Sequence, residues 1–253
     1  MSSGGGASDE EKILDSISGW YDSRYLVHLP QQKYPVHREL RCANKLVFPS
    51  CMVTLKTAKM ANRILARMTT PEPPGDVERR SIRIPSEDGD PVRVTLYRPA
   101  DIKGDAPCLV YFHGGGFCMG DADYIHQYAI QCAKGDECVV AFIHYRTSDT
   151  VPFPAPFQDC YIALSWAWDN ASELRVDRSR IAVGCDSAGG TLAAACVLWA
   201  QDEGKVHPCF QFLVYPVTDS RMETDSMKKF TDSPLWNARL NRRMWELYLR
   251  DGD

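Results

Sequence analysis

One short stretch, Val183–Gly190, constrains the fold of this chain more than any other. An apolar run that ends at Val183 leads into it, and an alanine-rich run that ends at Ala200 leads out of it. This pattern predicts a strand, a sharp turn and a helix, with Ser187 at the apex of the turn. The alternative interpretation is an ordinary helix N-terminus that the side chain of Asp186 or Ser187 caps.

A serine at such an apex is suited to nucleophilic chemistry. A serine hydroxyl is a weak nucleophile at neutral pH, so an enzyme must expose it, activate it and stabilise the oxyanion that its attack creates. A sharp turn would expose the Ser187 hydroxyl and aim the backbone N–H of Ala188 at the developing charge. The turn departs from the G-x-S-x-G form, because Cys185 stands two residues before the serine and Gly184 stands three before it. The Cβ of this cysteine must therefore fit inside a strained turn.

A glycine-rich loop, His113 to Phe117, is the second motif of this chemistry. It follows an apolar strand that we predict over Cys108 to Phe112. Glycine loops also cradle phosphates, but phosphate loops carry a lysine or a spaced glycine pattern that is absent here. A glycine loop combined with a serine turn is typical of the oxyanion hole of esterases, and Gly115 and Gly116 would then donate their backbone N–H groups. The two motifs together predict a hydrolase.

These motifs and three further stretches resemble the hormone-sensitive-lipase-like branch of the α/β hydrolases, the lipolytic enzymes with HGGGF and GDSAGG motifs. The three stretches are His144–Arg146 with Pro152–Ala155, Leu213–Pro216 with Asp219, and the segment from Ser226 to Leu249. His144 stands where that family usually has an aspartate. The resemblance runs from about Val77 to the last residue.

The chain alternates strands with helices, which indicates the α/β class with a mostly parallel sheet flanked by helices. An antiparallel hairpin is predicted over Ser81–Ile84 and Val92–Tyr97. The proline-rich segment Thr69–Gly75 is a linker. We therefore expect an N-terminal helical cap and linker over 1–75 and an α/β-hydrolase core over 76–220, and the resemblance adds a second cap segment over 221–253.

The resemblance also implies a catalytic acid and a histidine, which in this fold follow the serine in that order. In that family they lie beyond two more strands, whereas this chain ends at Asp253, and His207 is its only histidine after Ser187. About 12 helical residues would carry the chain roughly 18 Å away from the serine before His207. Asp219 is expected to be structural. We therefore expect the last strands and the acid and histidine region to be absent, and the chain alone to be inactive or weak.

The leading hypothesis is a serine carboxylesterase or lipase-like hydrolase, and the resemblance implies short- to medium-chain acyl esters. The expected site residues are the nucleophile Ser187, the oxyanion donors Gly115, Gly116 and Ala188, and the neighbouring structural residues His113 and Asp186. The alternative is a non-catalytic protein that binds a small molecule on the same fold. The family includes receptors that keep the pocket and lose the base.

Composition and charge indicate which partners, locations and cofactors to expect for this protein. With 29 basic and 33 acidic residues the net charge is −4, which argues against a nucleic-acid partner. The first residues show no signal-peptide pattern and no apolar run is long enough to cross a bilayer, so we expect a cytoplasmic protein without a stable membrane anchor. The 10 cysteines are expected to be reduced, and no spacing indicates a metal site or a cofactor. The sequence leaves the oligomeric state open.

Overall fold

The structure is a computed structural model that describes residues 37–39, 50–67, 71–86 and 89–250. Most of the predicted N-terminal cap, residues 1–36 and 40–49, lies outside the described residues. The described strands are β1 (Val77–Ile84), β2 (Val92–Pro99), β3 (Ala106–Phe112), β4 (Val139–His144), β5 (Val176–Asp186) and β6 (Phe210–Val214). The described helices are α1 (Leu55–Leu65), α2 (Asp123–Gly135), α3 (Ala155–Asp169), α4 (Ala188–Glu203), α5 (Asp225–Lys229) and α6 (Ala238–Tyr248), with a short 3-10 helix, Ser50–Met52, before α1.

The six described strands form one sheet in the order β1-β2-β4-β3-β5-β6. Strands β1 and β2 pair antiparallel from Val77 with Pro99 to Ile84 with Val92, which confirms the predicted hairpin. Strand β2 also pairs antiparallel with β4, and the pairs β4–β3, β3–β5 and β5–β6 are parallel. The sheet is therefore mostly parallel, as the alternation of elements predicts.

Helices cover both faces of the central strands, which explains why these strands are almost continuously apolar. Val110 and Phe112 of β3 point into the core formed with α3 and α4. Leu109 and Tyr111 alternate with them and point into a second core formed with α2. Complete burial of a side chain such as Phe112 contributes about 1.5–3 kcal/mol to stability.

The region of the second cap segment contains two separate helices, α5 and α6. Helix α5 ends at Lys229, and α6 begins at Ala238. Pro234 lies between them, and the side chain of Asn237 accepts hydrogen bonds from the first backbone N–H groups of α6. A proline followed by a strong N-cap residue starts a new helix, which explains the interruption.

The parallel register brings the two sequence motifs to one edge of the sheet. Phe112, at the end of β3, is the sheet partner of Cys185 in β5, so the glycine loop and the serine turn leave the sheet side by side. Helix α1 is fixed to the same loop, because Asn62 donates to the Cys118 carbonyl at 2.9 Å and accepts from Gly120 N–H at 2.8 Å. No helix in the described ranges combines the length and the apolar character that crossing a bilayer requires.

Candidate active site

Ser187 lies at the junction of β5 and α4 in a conformation that few residues adopt. Its backbone has φ 50° and ψ −118°, and a positive φ is strained for a residue with a Cβ. It occupies the N-cap position of α4, yet its side chain makes no capping hydrogen bond. Its N–H donates to the Val214 carbonyl at 2.9 Å, and its carbonyl accepts from Val217 N–H at 3.2 Å. The helix-cap interpretation is therefore wrong, and the turn is held by β6 and the chain after it.

The turn needs small residues because α4 starts in contact with the ends of β3 and β6. A Cβ on Gly189 would collide with the Phe112 carbonyl oxygen, and a Cβ on Gly190 would lie 2.5 Å from the Cβ of Pro216. Glycine at both positions lets the helix begin directly behind the serine. As the first helical residue, Ala188 has a backbone N–H without an intrahelical partner.

Cys185 fits the turn because its side chain points into the core. It is fully buried, and its Sγ–H donates to the Phe212 carbonyl at 3.5 Å. Burial raises the pKa of the Cys185 thiol to about 12, so the thiol is protonated and unreactive at neutral pH.

We expect Cys185 to resist a thiol reagent that modifies the exposed Cys51 and Cys209. Cys185→Gly should be tolerated, whereas Cys185→Leu should destabilise the protein. The larger side chain would meet Gly190, because a Cβ built on that glycine would lie only 3.6 Å from Sγ of Cys185. Mass spectrometry of the modified protein and thermal melts of both variants measure this. Modification of Cys185 at the rate of Cys51 in folded protein would contradict it.

The glycine loop turns through consecutive positive φ angles. Gly115 has φ 116° and Gly116 has φ 59°, and a Cβ on Gly115 would lie 2.6 Å from the Met119 carbonyl oxygen. Within the described part of the chain, no protein acceptor receives a hydrogen bond from the N–H of Gly115 or Gly116. Both groups are therefore free to donate to a bound oxygen.

Asp186 joins the glycine loop to the serine turn. Its Oδ1 accepts hydrogen bonds from the Tyr111 hydroxyl at 2.7 Å and from Gly114 N–H at 2.9 Å. Burial and the neighbouring Asp186 charge raise the pKa of Tyr111, which keeps its hydroxyl protonated as a donor. Asp186, which directly precedes Ser187, thus fixes the position of Gly114, which directly precedes Gly115 and Gly116.

His113 is a buried part of the glycine loop, and its ring is held by contacts within and beside that loop. Its Nδ1–H donates to the Gly114 carbonyl at 2.6 Å, and its ring stacks on Tyr145 with centroids 4.4 Å apart. Burial lowers the pKa of His113, so the ring is neutral at pH 7. Its contacts hold the shape of the loop.

The other described histidines also have partners away from Ser187. His126 and His144 both contact the carboxylate of Asp121. His207 is exposed, with its ring 5.9 Å from that of Trp168 at the end of α3. None of the histidines in the described ranges is hydrogen-bonded to Ser187. Asp219 is held by Arg221, which donates from Nε to Oδ1 at 2.9 Å.

Two residues that the sequence analysis did not identify lie against the glycine loop. The Cβ position of Gly116 is 3.2 Å from Cη2 of Trp236 and 3.4 Å from Cγ of Met244. The Trp236 indole N–H donates to Oδ1 of Asn241 at 3.2 Å, which fixes the ring. Both residues come from the α5–α6 segment, and no local sequence pattern there indicates that they lie near the glycine loop.

Comparisons with known proteins agree with this geometry. The model of the α/β hydrolase fold family matches residues 109–253. Carboxylesterase NlhH of Mycobacterium tuberculosis is 34% identical over 191 residues, which cover 74% of this chain and 59% of that protein. Esterase LipI of the same species is 35% identical over 151 residues, covering 59% of this chain and 47% of LipI. The chain therefore spans less than two thirds of the length of these relatives.

The solved structures that this chain resembles are also esterases. A bacterial heroin esterase is 38% identical with a TM-score of 0.67, covering 76% of this chain and 60% of that one. A thermostable esterase from Pseudomonas putida is 27% identical with a TM-score of 0.68, covering 81% of this chain and 63% of that one. Since the family match takes in more than half of the residues and the sheet agrees with it, the chain belongs to the α/β hydrolase fold family.

Proposed function

We propose that the protein hydrolyses carboxylic esters, with Ser187 as the nucleophile and the N–H groups of Gly115, Gly116 and Ala188 as the oxyanion hole. The observation that carries this proposal is the Asp186 link, which fixes the strained serine turn against a loop with two free N–H donors. The esterase relatives support the same reaction class. Hydrolysis of p-nitrophenyl esters by the wild type and by a Ser187 variant tests it.

The proposed reaction has two steps, acylation of Ser187 and hydrolysis of the acyl-serine. The Ser187 Oγ forms a bond to the ester carbonyl carbon, the π-electron pair moves onto the carbonyl oxygen, and the hydroxyl proton passes to a general base. The bond to the alcohol oxygen then breaks, and the alcohol leaves with a proton. Water attacks the acyl-serine by the same route and releases the carboxylic acid. No histidine in the described ranges is hydrogen-bonded to Ser187, so we propose that the base comes from outside these residues.

The substrate pocket proposed here lies between the core and the two cap segments. Trp236 and Met244 lie at Gly116, beside the proposed oxyanion position, and Asn62 of α1 fixes the end of the same loop. These contacts support the division into a cap over 1–75, a core over 76–220 and a second cap segment over 221–253. Because an indole and a thioether bound the site, we propose short- to medium-chain acyl esters as the substrate class.

Gly116→Val should lower kcat by about 10²–10³-fold with little change in KM, because that is the usual effect of losing one oxyanion donor. Valine is strained at φ 59°, and its side chain would meet Trp236, so the N–H would leave its position. The matched control is Gly120→Ala, whose Cβ makes only ordinary contact with Asn62 at 3.7 Å. If the valine variant changed KM alone, the loop would bind substrate without holding the oxyanion.

A binding protein without catalysis is the second candidate, and one observation favours it. The described histidines are all engaged elsewhere, as a receptor that has lost its base would show. Isothermal titration with a non-hydrolysable ester analogue separates the candidates. Binding without turnover in the full-length protein would support the receptor, and turnover that depends on Ser187 would exclude it.

A further inference from the structure

A buried group of metal-binding atoms lies beside the exit of the glycine loop. Oδ2 of Asp121 lies 2.6 Å from Nε2 of His126 and 3.1 Å from Nδ1 of His144. All three atoms lie within 4.8 Å of one another. The side chains of His126 and His144 are 2% and 6% exposed, and that of Asp121 is 21% exposed. The group comes from the loop after the glycines, from α2 and from the end of β4.

The second ring nitrogen of each histidine is held by a hydroxyl group. Nδ1 of His126 bonds to the Tyr97 hydroxyl at 2.8 Å, and Nε2 of His144 bonds to the Thr95 hydroxyl at 2.8 Å. Metal-binding histidines almost always have such an outer partner, which fixes the tautomer and the orientation of the ring. The other nitrogen of each ring therefore points at Asp121 from a fixed position.

The contacts around Nδ1 of His144 cannot all be satisfied at once. NH2 of Arg93 lies 2.8 Å from this nitrogen, and Oδ2 of Asp121 lies 3.1 Å from it. If Nδ1 carries a proton, it faces the guanidinium, and if it carries a lone pair, it faces the carboxylate. A cation bound between Nδ1 and Oδ2 attracts both atoms and removes the conflict. The side chain of Arg93 is 45% exposed, and its Nη2 also lies 3.8 Å from Oδ1 of Asp121, so binding of an ion would require the guanidinium to turn towards solvent.

We propose that Asp121, His126 and His144 form a binding site for a divalent transition-metal ion, with Zn²⁺ as the ion that suits two imidazoles and one carboxylate. Ligands of tetrahedral zinc at about 2.0–2.2 Å lie roughly 3.3 Å apart. The distances from Oδ2 of Asp121 to the two ring nitrogens, 2.6 Å and 3.1 Å, must therefore lengthen by about 0.7 Å and about 0.2 Å, while the two nitrogens, within 4.8 Å of each other, need to approach by at most about 1.5 Å. Water would fill the remaining position, where the Arg93 guanidinium now lies.

The site would be structural and would act on the glycine loop. Asp121 directly follows Gly120, whose N–H is held by Asn62. An ion would therefore fix the end of this loop to β4 and α2 at a point where it is otherwise held by hydrogen bonds. This inference does not depend on ester hydrolysis.

Titration of the metal-free protein with Co²⁺ and Zn²⁺ tests the site. We expect one equivalent of Co²⁺ to give the visible d–d bands of a four- or five-coordinate ion, and one equivalent of Zn²⁺ to displace it and raise Tm. His126→Gln and His144→Gln should each weaken binding at least about 100-fold, since loss of an outer partner alone costs about 10–100-fold. His207→Gln, at an exposed histidine far from the group, should bind like the wild type.

A variant with the opposite expected effect keeps the test decisive if the glutamine variants fail to fold. Arg93→Met removes the competing cation and should tighten Co²⁺ binding by about tenfold. The proposal is overturned by an absence of stoichiometric binding, by cobalt–thiolate charge-transfer bands, which would assign the ion to cysteine, or by an unchanged affinity in Arg93→Met.

Discussion

In the chain extended by the segment that follows the second cap in the resembled family, replacing Ser187 by alanine should abolish labelling by a fluorophosphonate probe and lower kcat for a short-chain aryl ester by about 10⁶-fold, the loss seen when a serine nucleophile is removed. The backbone of the turn should remain intact, because the hydroxyl makes no capping hydrogen bond and the N–H of residue 187 still reaches Val214. The expected change is therefore in chemistry and not in stability, and Tm should move little.

The control for this prediction is Ser220→Ala, at an exposed serine beyond the end of β6. Both variants should be measured in residues 1–253 and in the same chain extended by the segment that follows the second cap in the resembled family, so that a missing base is distinguishable from a wrong nucleophile. Labelling that persists in Ser187→Ala would refute the assignment in either form.

The parts of the fold that depend on local pattern could be predicted from the sequence. Apolar runs and glycine placement predicted β3 and the turn at Ser187 to within a few residues. Strand β5 is the main exception, since it starts at Val176, well before the apolar run that ends at Val183. Its first residues are largely polar, and Val176 joins the sheet beside Ala106 across a register irregularity. A polar stretch paired through its backbone leaves no apolar signal in the sequence.

Contacts between distant segments were not predictable in the same way. Asp186 was expected near the site, but its bond to Gly114 depends on the register between β3 and β5. The position of Trp236 against Gly116 depends on the break between α5 and α6. The approach of His144 to Asp121 depends on the parallel pairing of β3 with β4. Each contact is fixed by tertiary geometry, and single residues in the sequence carry no sign of it.

Residues 1–253 purified alone should self-associate through the β6 edge of the sheet. Among the described strands β6 pairs only with β5, so its other edge offers unpaired backbone groups to a second copy. Large apolar side chains are exposed on β6 and on the helix that packs against it: Phe210 is 62% exposed and Leu198 on α4 is 63% exposed. An open edge next to exposed large apolar side chains favours association between sheets. Size-exclusion chromatography with light scattering should show dimers or larger species whose population rises with concentration.

The double variant Phe210→Lys with Leu198→Lys should shift the chain to a monomer, because a lysine at a sheet edge opposes pairing through charge repulsion and desolvation. Met60→Lys is the matched control, since Met60 is 58% exposed but lies on α1, the helix that is fixed to the glycine loop. The extended chain described above should also be monomeric, because its added strands would cover the same edge. A wild-type chain that stays monomeric at every concentration, or an oligomer that the two lysines leave unchanged, would show that β6 is not the contact.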